Sequence, residues 1–291
     1  NEDEFAEKLH SLAFRVTKEE CLDLPPLSYQ RLYVEPDQET HRIYREMDLN
    51  FFAEVEGDEI TVEGEATKQM KLRQIVGGAV RTDGQQIAHI SGLKASTLEK
   101  LLEDRMDRKT IVYFSFTHEI ELAEFICKKL GLGYLTLRGS TPERDRQVFE
   151  DRFQQDPNIK VALIQVSTGA EGMTLTAADV AVFYSPTFSF IGFSQARDRI
   201  NRMGQEKPMT IIFIIMAGTV DERVVDVLES NRQLTDIYLN QKRNYDMSKN
   251  PVQKTDTGYT AADMAKELGI TSAELRKHLR SAGVEKPEGG W

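Results

Sequence analysis

The chain has 291 residues, 40% of them hydrophobic and 29% charged, with a formal net charge of −10, a composition expected of a globular protein long enough for one large domain or a medium one with an appendage. No apolar run approaches the roughly 18 residues of a membrane span, so no membrane association is expected. Cys21 and Cys127 lie far apart without CxxC spacing, and the five histidines show no ligand spacing, which argues against a disulfide scaffold and against protein-bound metal and favours a reducing cytoplasm.

The charge is unevenly spread. Residues 1–70 hold 18 acids and 7 bases, whereas residues 71–291 hold 29 and 30, so a local basic groove is allowed in the later part but not demanded by composition. The chain opens on Asn1 with no signal-peptide pattern, and the expectation is that it continues a longer product.

Residues 1–90 read as a connector leading into a domain. Pro25 and Pro26 impose an extended stretch, a helix is expected from Asp37 to about Phe52, and the acidic segment 53–68 reads as a surface hairpin or insertion. A helical stretch at 71–80 ends at Gly77–Gly78. From 91 to 245 helices and strands alternate. LKASTLEKLLEDRM (93–106) has helical spacing, and TIVYFSF (110–116) is a buried strand of β-branched and aromatic residues. The next helix (118–131) has Thr117 as its N-cap, and YLTL (134–137) is a strand. Thr141 and Pro142 then open a helix to about Phe153. VALIQVS (161–167), VAVFYS (180–185) and TIIFIIM (210–216) are further strands. Thr219 and Glu222 form a capping-box pattern before a helix to about Gln241. Such alternation predicts an α/β fold, a parallel sheet with helices on both faces. A polar linker covers 246–258, and 259–291 reads as two short helices in a small helix-turn-helix-like domain.

The chemistry concentrates in QARDRINRMGQ (195–205). Arg199 and Arg202 are three apart, so on a helix they share a face, and two guanidiniums together suit phosphoryl oxygens. For an isolated arginine pair, a solvated surface helix is the ordinary alternative. The surroundings change that balance. QARDRINRMGQ resembles motif VI of the Swi/Snf-type superfamily-two helicases and translocases, and STGAEGMTLTAADVAVFYSP (167–186) resembles motif V. TIVYFSF is similar to motif IV, LRGST…R (137–144) to the glycine-threonine segment after it, and SGLK (91–94), KLRQI (71–75) and LDLPP to the lead-in. The resemblance spans roughly residues 14–240 and implies the second, C-terminal RecA-like lobe of the motor.

From that resemblance come expectations for single residues. Arg199 and Arg202 would be arginine fingers on the γ-phosphate of ATP, Gln195 would couple the nucleotide to motif V, and Asp198 would orient an arginine. Glu171 and Gly172 would lie by the nucleotide. Ser167, Thr168, Gly169 and the Gly139–Ser140–Thr141 turn, helped by Arg138, would grip phosphates of the tracked strand without reading bases. Phe114, Phe116 and Phe183 read as core, whereas Phe188 could go either way. In the C-terminal segment, Arg276, Lys277 and Arg280 would face DNA phosphate, the alternative being a packing module with a solvated basic face.

The sequence contains no GxxxxGK[ST] loop and no DExx box after a strand. An N-terminal lobe, in cis or in trans, is therefore expected to hold ATP and Mg2+, and this chain alone is expected not to hydrolyse ATP. The expected partner is DNA, duplex more than single-stranded. ValGlyGlyAla at 76–79 and the short motif V turn depart from the usual pattern and suggest a bacterial or phage member. Two other readings remain: a non-catalytic DNA- or partner-binding module, and an RNA helicase lobe, which ArgMetGlyGln and LTAAD disfavour.

Overall fold

The computed structural model describes residues 23–168 and 172–240, the last nine of these by backbone alone. Leu22–Leu228 form one compact unit. The expected linker at 246–258 and the helix-turn-helix-like segment with Arg276, Lys277 and Arg280 lie outside the described residues, as do Gly169 and Glu171.

The Leu22–Leu228 unit is built on a six-stranded parallel sheet: β1 (Leu27–Val34), β6 (Thr110–Phe114), β7 (Gly133–Leu137), β8 (Ile159–Gln165), β9 (Val180–Phe183) and β10 (Met209–Met216), ordered β1-β10-β9-β6-β8-β7. Alternation within a strand sends its residues to opposite faces. In β6, Ile111 and Tyr113 enter one core while Val112 and Phe114 enter the other. The second core is closed by α3 (Leu93–Glu103) and α4 (Thr117–Lys129) through Leu98, Leu102, Ile120 and Ile126. The first is covered by α1 (Gln38–Asn50), α2 (Glu65–Gly77), α5 (Glu143–Gln155), α6 (Phe190–Arg197) and α7 (Val220–Asn240). The α/β, RecA-like architecture read from the sequence is present, with helices on both faces.

Several local expectations are corrected. Leu27–Val34, read as an extended connector, is an integral edge strand, paired residue for residue with Met209–Met216. Two prolines fix its entry, and Met209 donates its amide to the Pro26 carbonyl at 2.9 Å. The acidic segment does form a hairpin, β2 (Phe52–Val55) with β3 (Asp58–Thr61), turned by Glu56 and Gly57 at positive φ, as a two-residue hairpin requires. Helix α2 starts at Glu65, earlier than expected, and a second small hairpin, β4 (Ala79–Arg81) with β5 (Ile87–His89), follows it.

The caps also differ. Thr117 is the first helical residue of α4, and Glu119 reaches back to accept from the Phe116 amide at 3.1 Å. Pro142 is the N-cap of α5, and Thr141 instead turns its hydroxyl to accept from the Arg138 amide at 3.0 Å. At α7, Glu222 accepts from Gly218, one residue before Thr219.

Candidate nucleotide and nucleic-acid site

In a parallel α/β sheet the loops at the carboxyl ends of the strands are the natural place for a ligand, because helix N-termini and free main-chain groups collect there. At this edge lie the turn after β7 (138–141), the 3-10 turn after β8 (Val166–Thr168) and the segment after β9 that leads into α6.

Helix α6 is held by aromatic packing and two well-placed hydrogen bonds. Phe193 packs on Phe183 and Phe213 with ring centroids 5.2 and 5.6 Å apart. Ser189 caps the helix by accepting from the Gly192 amide at 3.1 Å, and the buried Tyr113 hydroxyl donates to the Ala196 carbonyl at 2.8 Å. That fixes the last turn, from which Gln195 projects. Gln195, Arg199, Thr168, Gly192, Tyr113 and Val166 line one small cleft. The Thr168 side-chain hydroxyl there is buried and has no hydrogen-bond partner.

The two arginines do not share a helix face, because α6 ends at Arg197 and residues 198–204 form turns. They meet by a different route. Arg202 donates from Nη1 to the Gly172 carbonyl at 2.7 Å, and both arginines reach the Met173 carbonyl at 3.4 Å. Leu175 returns its amide to the Arg199 carbonyl at 3.0 Å. Motif VI is thereby laced to the segment after the motif V turn. Gly172 suits that position because its φ is +87°, which L side chains rarely adopt. Arg199 is 8% exposed, whereas Arg202 faces solvent. Gln205 is a buried staple, donating to the Ala178 and Ile200 carbonyls at 2.8 and 3.3 Å.

Other expected residues occupy less open positions. Asp198 pairs with Arg197 at 3.0 Å, the neighbour that the sequence reading did not consider. Arg138 turns to Glu124 at 3.0 Å and Glu121 at 3.6 Å, so its guanidinium points at carboxylates rather than into the 138–141 turn. The Gly139 amide donates to Gln165 Oε1 at 3.1 Å, and the Thr141 amide to the Arg138 carbonyl at 2.9 Å. The exposed residues of these two turns are Gly139, Ser140 and Ser167. Phe114 and Phe183 are wholly buried, as expected; Phe116 is only half-buried, stacked on His118, and Phe188 is 43% exposed.

Arg73, within KLRQI, has a task that its local pattern does not reveal. From α2 it donates to the Ser115 hydroxyl at 2.6 Å and the Pro186 carbonyl at 2.8 Å, tying the ends of β6 and β9 together. Its place in KLRQI was the signal available. Among the described residues, no three His, Cys, Asp or Glu side chains converge as a metal site, and no helix is long and apolar enough to cross a membrane.

Residues 93–204 match the profile of the helicase conserved C-terminal domain. The chain is similar to the chromatin-remodeling ATPase INO80 of Mycosarcoma maydis, 30% identical over 55% of this chain and 9% of that protein. It is also similar to protein CHROMATIN REMODELING 19 of Arabidopsis thaliana, 29% identical over 69% of this chain and 27% of that protein. The chain thus spans less than a third of either relative. In fold it resembles the crystal structure of the C-terminal part of the Fun30 ATPase domain, with a TM-score of 0.56 and 18% identity, covering 75% of this chain and 98% of that one. The likeness to the helicase conserved C-terminal domain thus falls within the Leu22–Leu228 unit, over residues 93–204.

Proposed function

We propose that this chain is the second motor lobe of an ATP-dependent duplex-DNA translocase, supplying Arg202 as an arginine finger with Arg199 behind it, together with backbone contacts, and that it does not turn over ATP without an N-terminal lobe. The observation that carries the reading is the convergence of Arg199 and Arg202 on the Gly172–Met173 carbonyls. It ties motif VI to the segment after the motif V turn, and Arg199 belongs both to that tie and to the cleft lining.

Donors suited to the phosphoryl end of a nucleotide are the exposed Arg202 and, in the cleft that Arg199 also lines, Gln195. ATP would supply the phosphoryl group whose transfer charge such donors stabilise. Arg202 has the exposure that reaching across to another lobe requires. Arg199, mostly buried, acts by holding the turn that presents Arg202. Nothing in the donor set suits Mg2+, which prefers carboxylate oxygens and phosphate, and the metal is assigned to the other lobe.

Ser140 and Ser167, with the main chain around them, would hold strand phosphates. Hydroxyls and amides grip any sequence, as a translocase needs. Chromatin remodelling in the relatives' names is consistent with DNA as the track. The bacterial or phage cytoplasm suggested by residues 76–79 gains no support from the relatives named above, neither of which is bacterial or viral.

The test is DNA-stimulated ATPase activity of the chain alone and with its upstream lobe restored. Silence alone and duplex-dependent turnover on restoration are expected. Turnover by the chain alone would refute the split site. Duplex binding with continued silence in the complete protein would favour a binding module, and stimulation by RNA alone an RNA helicase.

A further inference from the structure

We infer that Arg146 and Gln165 are positioning residues that lock the two phosphate-gripping turns at a fixed spacing, so that the turns move as one body. What the turns grip rests on the function proposed above; the lock itself rests on geometry.

Arg146 is the fourth residue of α5, and helical side chains lean towards the N-terminus. Its guanidinium therefore lies back over the loops that precede and flank the helix. Nη1 donates to the Thr168 carbonyl at 2.8 Å, and Nε reaches the Thr141 carbonyl at 3.5 Å. One rigid planar group thus spans the turn after β7 and the turn after β8. Gln165, the last residue of β8, makes a second tie in the other direction by accepting from the Gly139 amide at 3.1 Å. The first turn is closed on itself between Arg138 and Thr141, so a pull at either end moves the whole of it. Arg144, which closes the LRGST…R pattern, is 86% exposed and pairs with its neighbour Asp145 at 3.5 Å.

The spacing matters because successive phosphates along a strand recur at about 3.4 Å of axial rise. Two turns that grip neighbouring phosphates hold both only while their separation is maintained. Loss of the lock would leave each turn able to bind and the pair unable to hold a register, which lowers duplex affinity and the distance moved per ATP. Neither Arg146 nor Gln165 needs to touch ATP for this effect.

Amide hydrogen exchange of the chain without DNA reads the lock directly. Arg146→Ala should speed exchange about tenfold in both turns, residues 139–141 and 167–168, as expected for a lost charge-assisted hydrogen bond. The Ala162–Ile164 amides in the core of β8 should be unchanged. Arg146→Lys, with one compact head, should restore one turn only, and Gln165→Leu should loosen the Gly139 turn. Faster exchange throughout β8 would mean a merely structural role and overturn the inference, as would faster exchange in a single turn for Arg146→Ala.

Duplex affinity and base pairs moved per ATP in the two-lobe protein complete the test, with both expected to fall several-fold in Arg146→Ala while kcat for ATP changes less. Loosened turns in a protein that binds no duplex would uphold the lock and refute the motor. Unchanged turns and unchanged affinity in a working motor would do the reverse.

Discussion

The Lys94 ammonium lies 2.7 Å from the Asp221 carboxylate, with the two side chains only 1% and 2% exposed. The pair joins the start of α3 to the start of α7, and Asp221 also accepts from the Met216 amide at 3.2 Å. The Tyr184 ring lies 5.1 Å from the ammonium. A buried pair broken on one side leaves an uncompensated charge, which typically costs ~3–5 kcal/mol. Lys94→Met is therefore expected to lower Tm by roughly 6–20 °C for a domain of this size. Lys94→Met with Asp221→Leu should recover much of that loss. Calorimetric melting of the single and double variants checks both, and a double variant no better than Lys94→Met would refute the burial argument.

Arg199 and Arg202 reach the same carbonyl from different environments, so their substitutions should separate. Arg199→Ala removes a buried donor from the Met173 carbonyl and is expected to destabilise the chain by ~1–3 kcal/mol. Arg202→Ala removes an exposed guanidinium and should leave Tm within about 2 °C. In the two-lobe protein it should cut turnover about 10³-fold or more, with nucleotide binding largely kept. Denaturation curves and single-turnover kinetics measure the two effects. Near-normal turnover in Arg202→Ala would remove the finger assignment.

The architecture was legible because its signals are dense. Five strands after residue 91, each a short apolar run, and helices with clear spacing leave few other folds for residues 91–240. The first strand was not, since Leu27–Val34 reads LSYQRLYV and an edge strand half open to solvent carries too little apolar pattern to separate it from an extended connector. Arg199 and Arg202 were found as a pair through their spacing, but the spacing gave the wrong reason. Their meeting depends on a turn and on carbonyls 26 to 30 residues away, which no local pattern encodes. Arg138 illustrates the same limit: a base beside a glycine turn suggests phosphate, and only the fold brings Glu124 next to it.

Burial and pH offer a prediction from neighbouring residues. Burial pushes the Glu119 carboxyl up to about 7, against hydrogen bonding by Ser185 and the charges of Lys94 and Arg73. Oε2 accepts from Ser185 and Phe116, while Oε1 is buried without a partner. The folded state thus keeps a proton that the unfolded chain releases above its value of 4.5. This contribution, at most ~3 kcal/mol, is complete below pH 4.5 and lost as pH rises through 7. His118 has the opposite sign. Burial, chiefly, lowers it to about 4 from 6.5, so its contribution is present above pH 6.5 and lost as pH falls through 4. Between pH 4.5 and 6.5 the two slopes oppose each other. Glu119→Gln should leave stability rising with pH across that window, and His118→Phe should leave it falling. Urea titrations at three pH values would settle the matter; equal slopes in all three proteins would exclude the offset.

The same carboxylate explains a sequence departure. At Gly77 a Cβ would lie 2.4 Å from Glu119 Oε1, and at Gly78, where φ is +103°, it would lie 2.4 Å from the Ser91 carbonyl oxygen. Glu119 cannot swing away without losing Ser185 and the Phe116 amide. Gly77→Ala is thus expected to destabilise the protein by ~1–3 kcal/mol through overpacking. Gly78→Ala should cost more, because the obstructing atom is main chain and the backbone itself is left-handed. The two differ in rescue. Glu119→Ala removes the atom that blocks Gly77, so Gly77→Ala should cost little in that background, a coupling of the size seen for side chains in contact. Gly78→Ala should cost the same in either background. Denaturation of the three single and two paired variants measures the coupling. Additive losses for Gly77→Ala and Glu119→Ala would mean that the glycine is needed for the end of α2 rather than for the carboxylate beside it.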